Sequence, residues 1–117
     1  MPPTGPSNHA LSVAREAAAG LVGEGAEAAV LVGSRARGDA GSDSDVDVLA
    51  VGPRTFSFRL ERRGGLLVSA TSRPPEAYRL EMAEPGSVGT AVPGWREAVV
   101  LHDPEGIAES LIEEAEA

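Results

Sequence analysis

Asp45 and Asp47 interrupt an otherwise apolar alternation, Asp45-Val46-Asp47-Val48-Leu49-Ala50-Val51, that reads as a β-strand. Side chains two residues apart on a strand leave the same face, with Cα atoms roughly 6–7 Å apart. Val46 and Val48 then point the other way, into a core. Aspartate is a poor strand former, so two of them on one face call for a functional reason. Carboxylates placed like this converge on hard cations, typically magnesium, which prefers oxygen ligands and keeps substrate phosphates as co-ligands. A chain built around this strand must pack one face of a sheet and leave two acids on the other.

What precedes the strand fits that role. Ala28 to Val32 is a short apolar run, read as a buried strand, and Gly33 stops it. Residues 33–44 are polar and glycine-rich. Glycine lets a backbone approach phosphate oxygens without a Cβ in the way, and the amides at a following helix N-terminus favour an anion. Ser34 adds a hydroxyl donor, and Arg35 and Arg37 add positive charge beside it.

The rest of the chain reads as alternating helices and strands. Residues 1–8, rich in Pro, Ser and Gly, are expected to form a flexible arm, and 9–117 one domain. Leu11, Ala14, Ala18, Leu21 and Val22 recur at helical spacing, with Ser7 or Asn8 as the cap and Gly23 or Gly25 as the stop. Phe56, Phe58 and Leu60 alternate with polar residues as a third strand. Arg63-Gly64-Gly65 is a hairpin signal before a fourth strand, Leu66 to Thr71. Pro74 and Pro75 suit the first turn of a helix to about Ala83. Residues 85–93 are expected as loop, Ala98 to Leu101 as a last strand and Glu105 to Ala115 as a closing helix. The class is therefore α/β, a small mixed sheet with helices on one face and the other face open at the acids.

Composition narrows the function. With 117 residues the chain supports one modest core. It has no cysteine, which excludes disulfides and thiolate chemistry. Its basic residues are all arginine, which excludes a Schiff-base lysine and the lysine of a P-loop. A net charge of −8 repels long nucleic acid and anionic membrane. No apolar run approaches the roughly 20 residues that span a bilayer, and Met1 to Asn8 lacks the regions of a secretory signal, so a cytoplasmic location is expected.

Two familiar motifs fail on inspection. A calcium loop starting at Asp43 needs glycine and a late acid where Val48 and Arg54 stand. The glycines at 33 and 38 have P-loop spacing, but Asp39-Ala40 follows in place of lysine and a hydroxyl.

Gly33-Ser34-Arg35-Ala36-Arg37-Gly38 followed by Ser44-Asp45-Val46-Asp47-Val48 resembles the signature of the polymerase β-like nucleotidyltransferase superfamily. It is most similar to the minimal nucleotidyltransferases, which include antibiotic adenylyltransferase relatives and antitoxins of HEPN–MNT pairs. The resemblance implies a polymerase β palm-like fold and a nucleoside triphosphate whose phosphates lie on Gly33 and Ser34. It implies two Mg²⁺ ions on Asp45 and Asp47, which would be catalytic, with Arg35 and Arg37 auxiliary. It also implies transfer of a nucleoside monophosphate, AMP from ATP, to an acceptor hydroxyl on a small molecule or protein. An antitoxin-like module would instead bind or nucleotidylate a helical partner protein.

One departure from the family pattern stands out. The family places a third carboxylate on a later strand, where this chain has Ser69. Glu61 is a candidate substitute, if its alternation puts it on the open face. Without such an acid the chain would be a nucleotide-binding relative with impaired catalysis.

Overall fold

Ten elements follow one another in the computed structural model, which describes residues 5–38 and 45–117. They are α1 (Asn8–Gly23), β1 (Ala28–Val32), α2 (Ser34–Arg37), β2 (Val46–Val51), β3 (Phe56–Arg63) and β4 (Leu66–Arg73). The chain continues through α3 (Pro75–Ala83), α4 (Val88–Arg96), β5 (Val99–His102) and α5 (Ile107–Glu116). The expected arm lies partly outside the described residues, as do residues 39–44 of the polar turn, including Ser44 of the motif.

The strands form one mixed sheet in the order β3-β4-β2-β1-β5. β2 runs parallel to β4, and the other neighbours are antiparallel. β3 and β4 join as a hairpin through Gly64 and Gly65, both at positive φ (58° and 80°), as a tight primed turn requires. The central strands β1, β2 and β4 carry the buried residues, while β3 is exposed along most of its length.

Helices cover both faces, which corrects the expectation of helices on one face only. On one side Val13, Ala14, Ala17, Ala18 and Leu21 of α1 pack on Leu31, Val46, Val48, Val68 and Ala70. Those α1 residues recur every three or four positions, the stripe that a core-facing helix needs. Ser7 caps the helix by accepting from the Ala10 N–H at 3.1 Å. At the other end Glu24 accepts two hydrogen bonds from Arg59 (2.8 and 2.9 Å), which tie α1 to β3. That contact holds the Glu24 carboxyl below its ordinary range.

On the second side Trp95 of α4, Tyr78 of α3 and Ala108, Leu111 and Ala115 of α5 pack on Ala28, Val30 and Val51. Residues 85–93 are therefore not all loop, since α4 begins at Val88. Gly89, Pro93 and Gly94 make this a poor helix by local preference. Burial of Trp95, 2% exposed, supplies what propensity does not.

Candidate active site

The residues singled out from the sequence meet at one end of the sheet. In the β1–β2 register Val32 lies opposite Asp47, so Gly33, the residue after β1, arrives beside the second aspartate. Asp45 immediately precedes β2. Asp47 shares its face with Leu49 and Val32, the side of α3, α4 and α5, and is half-buried there. Val46 and Val48 are fully buried against α1. Asp47 and Val48 leave opposite faces, as the alternation predicts, but the face of Asp47 is also a packing face beyond it, through Leu49 and Val51.

Gly33 makes the contact between loop and carboxylate close. Its φ of 77° and ψ of −160° lie in a region that only glycine occupies at low cost. A Cβ built there would stand 2.9 Å from Asp47 Oδ2. Gly33→Ala should therefore lower stability by about 1–3 kcal/mol, the usual cost of such a conformation. Urea unfolding measures this, and an unchanged midpoint would mean that the loop relaxes at no expense.

After Gly33 the chain makes the single turn α2. The Gly33 carbonyl accepts from the Ala36 and Arg37 N–H groups at 3.0 and 3.2 Å. Ala36 anchors the turn in the α1 core. Ser34 and Arg35 remain partly accessible. Arg37 donates to Glu97 at 3.0 Å, so its charge is already shared with a carboxylate.

Burial and the neighbouring Asp45 charge both push the Asp47 carboxyl above its ordinary range, burial being the larger cause. A carboxylate held up by burial and by a second acid beside it is one that a divalent cation would relieve. The donor set therefore fits magnesium in charge and ligand type. Among the described residues no group of three or more His, Asp or Glu side chains is assembled for a metal.

β4 supplies the next neighbour. Ser69 lies directly opposite Asp47 in the parallel β2–β4 register, and it is buried. The strand position of the missing acid is thus filled by a hydroxyl. Glu61 does not replace it. It pairs with Val68, which faces α1, and binds Arg63, so it sits on the wrong side of the sheet.

A cleft of about 340 Å³ opens beside Asp47, over β4 and β3. Its walls include Ser69, Thr71, Phe58 and, from the helical side, Glu81, Ser87 and Thr90. None of these last five was singled out from the sequence. Phe58 passes for a routine member of an alternating strand, and Ser87 and Thr90 belong to a segment read as loop. A second cavity, about 240 Å³, lies between α1 and β3. Its charges are spent on one another, Glu24 with Arg59 and Arg63 with Glu61, and it holds Glu61, the candidate third acid, away from Asp45 and Asp47.

A family model described as a nucleotidyltransferase domain matches residues 14–92. The chain belongs to that family. The match runs from the middle of α1 into α4 and so takes in the loop, both aspartates and the cleft of this nucleotidyltransferase domain. Comparison with curated proteins returns no match. The mixed five-stranded sheet with packed helices agrees with the nucleotidyltransferase fold. Among the described residues of the domain, no helix is long and apolar enough to cross a membrane.

Proposed function

We propose that this nucleotidyltransferase domain binds a magnesium–nucleoside triphosphate, with ATP as the donor, and transfers its nucleoside monophosphate to an acceptor hydroxyl. The observation that carries this reading is the close approach of Gly33 to Asp47, where an added Cβ would stand 2.9 Å from Oδ2, so that the glycine loop lies beside the second acid. Asp45 and Asp47 are the metal ligands. Gly33 and Ser34 receive the phosphates through backbone amides and the Ser34 hydroxyl, with Arg35 beside them. Arg37 assists once a phosphate competes with Glu97 for it.

Magnesium bound there would screen the triphosphate and stabilise charge on the oxygens around the transferring phosphorus. In the transfer the acceptor oxygen forms a bond to the α-phosphorus, the α–β anhydride bond breaks, and pyrophosphate leaves. The loop holds the leaving side, which fixes the line of attack. Calorimetry of ATP with and without Mg²⁺ tests the reading: binding should require the metal. Binding of equal strength in a chelator would sink it.

The acceptor proton is the weak point of the machinery, and the Ser69 register supports a second reading. A serine hydroxyl does not act as a base near neutral pH without activation. The domain would then hold nucleotide and transfer it slowly or not at all. Ser69→Asp restores a carboxylate opposite Asp47 and should raise transfer by about 10²-fold or more if deprotonation is limiting. Labelled ATP offered with a panel of hydroxyl acceptors reads this out. No gain would place the limitation elsewhere, in the acceptor or its binding.

A further inference from the structure

β3 and β5 are the two edges of the sheet, and they are not equally open. β5 has four residues, too few to offer much to another strand. β3 has eight and is exposed along most of them. Its outer backbone N–H and C=O groups face away from β4, a row of donors and acceptors that a further strand can pair with. Two large apolar side chains stand on this strand in the open, Phe58 at 73% and Leu60 at 58% exposure.

A bulge decides which way the strand's side chains point. Phe56 pairs with Ser72 and Arg59 with Ala70, so three steps along β3 span two along β4, and the register is continuous from Arg59 to Arg63. Arg59 and Glu61 pair with Ala70 and Val68 and so take the α1 face. Leu60 pairs with Ser69 and takes the opposite face, as do Phe58, which lines the cleft, and Arg62. Arg59 is bound to Glu24, and Arg63 to Glu61 and Glu16, whereas Arg62 has no acid partner among the described residues.

We propose that β3 is a self-association edge, on which a second copy of this chain adds its own β3 antiparallel about a two-fold axis at Leu60. Such a contact must be complementary to itself. Here Arg59 faces Glu61 of the partner subunit, and Glu61 faces Arg59 of the partner subunit. Leu60 meets its own copy, and Phe58 meets Arg62 of the partner subunit. A two-fold axis perpendicular to the sheet keeps like faces together, so the register can shift only in steps that retain face. The next register on one side sets Arg59 against itself, and the next on the other sets Glu61 against itself. Like charges directly opposite are destabilising, so the charges select the pairing at Leu60.

On the α1 face this closes a row of alternating charge, Glu24 and Arg59 followed by Glu61 and Arg63 of the partner subunit. The Glu24–Arg59 and Glu61–Arg63 pairs already exist within one chain, at 2.8 and 3.3 Å. Arg59 and Glu61 remain 44% and 47% exposed, and a guanidinium and a carboxylate each have capacity for a further partner. On the other face the unpaired Arg62 guanidinium gains an aromatic ring, and two leucines cover one another. Because Phe58 lines the cleft with Asp47 and Ser69, Arg62 of the partner subunit comes to the outer wall of the candidate active site. Five opposed residues a side make a small interface, so association should be weak, on the order of micromolar.

Sedimentation velocity over about 5–500 µM brackets that range. The average mass of the native chain should rise from 12.0 kDa towards twice that value. Arg59→Glu and Glu61→Arg each set like charges opposite one another and should weaken the dimer about tenfold or more. Mixed in equal amounts the two variants face Glu with Arg at both positions, and the dimer should return. The chain has no cysteine, so Leu60→Cys should cross-link two copies under mild oxidation, and faster than Arg62→Cys, which does not meet itself. A native chain that stays at 12.0 kDa throughout overturns the inference. A dimer that both charge variants retain would place the contact on another surface. Variants that lose the dimer and do not regain it on mixing would mean that Arg59 and Glu61 act only within their own chain, through Glu24 and Arg63.

Discussion

Asp47→Asn is expected to abolish magnesium-dependent ATP binding and, in the same protein, to make the metal-free domain more stable. Asp47 sits half-buried beside the Asp45 charge, and both raise its carboxyl above the ordinary value of an unfolded chain. The folded state therefore takes up that proton more readily than the unfolded one. Its ionised form costs stability at neutral pH, and the cost disappears as pH falls through the raised value. Asparagine keeps the shape without the charge, so the variant should melt higher than the native domain at pH 7. The difference should shrink on acidification, because protonation of the native carboxyl does the same work as the substitution.

Adding ligand should reverse the order. At a Mg–ATP concentration of about a hundred times Kd the native domain gains about 2.7 kcal/mol, on the order of 10 °C in Tm for a domain of this size. Asp47→Asn should gain nothing, having lost a ligand oxygen of the metal. Differential scanning fluorimetry at several pH values, with and without Mg–ATP, reads both arms. A variant that is stabilised by Mg–ATP as much as the native domain would remove Asp47 from the site. A variant less stable than native in chelator would mean that the carboxylate is a structural group, and the acid pair would need another explanation.

The second large effect concerns the helix that local preference argues against. Trp95→Ala should cost about 3–5 kcal/mol, a large share of the roughly 5–15 kcal/mol that holds a domain folded. Trp95 is 2% exposed and meets the Tyr78 ring edge-on, with centroids 5.2 Å apart and planes at 71°. Tyr78 in turn donates its hydroxyl to the Ala50 carbonyl of β2 at 2.8 Å. Burial raises the Tyr78 pKa, so the phenol stays a donor across the working pH range. Removing the indole leaves this chain of contacts without its outer member.

The loss should also be local in a telling way. α4 contains Gly89, Pro93 and Gly94, so little besides tertiary packing keeps it helical. Amide exchange in Trp95→Ala should therefore accelerate over Val88–Arg96 well before the strands loosen. Urea unfolding gives the global cost. A fall of under 1 kcal/mol would show that α4 is held by other contacts. Because Thr90 and Ala91 line the cleft beside Asp47 and Ser69, transfer should slow in this variant even where the sheet remains intact.

Much of this protein is written locally. β1, β2 and β4 are legible because apolar runs and alternation with period two depend only on neighbouring residues, and the turn signal at Gly64-Gly65 is equally local. The acid face of β2 follows from parity alone, as does the burial of Val46 and Val48 behind it. Gly33 is readable as a close-approach residue, although the carboxylate it approaches belongs to another strand.

Other features exist only once strands pair and helices dock. The order β3-β4-β2-β1-β5 sets Ser69, not an acid, opposite Asp47. One extra residue in β3 inverts the parity of everything beyond it, and this sends Glu61 to the α1 side and Phe58 to the cleft. Alternation in the sequence cannot reveal a bulge, because a bulge is a mismatch between two strands and not a property of either. α4 is a helix by virtue of a tryptophan seated on a tyrosine seventeen residues earlier in the chain, a contact that no local propensity contains. The acid pair and its loop were determined by the order of residues; the walls around them were decided by long-range packing, which selects conformations that each segment alone would not prefer.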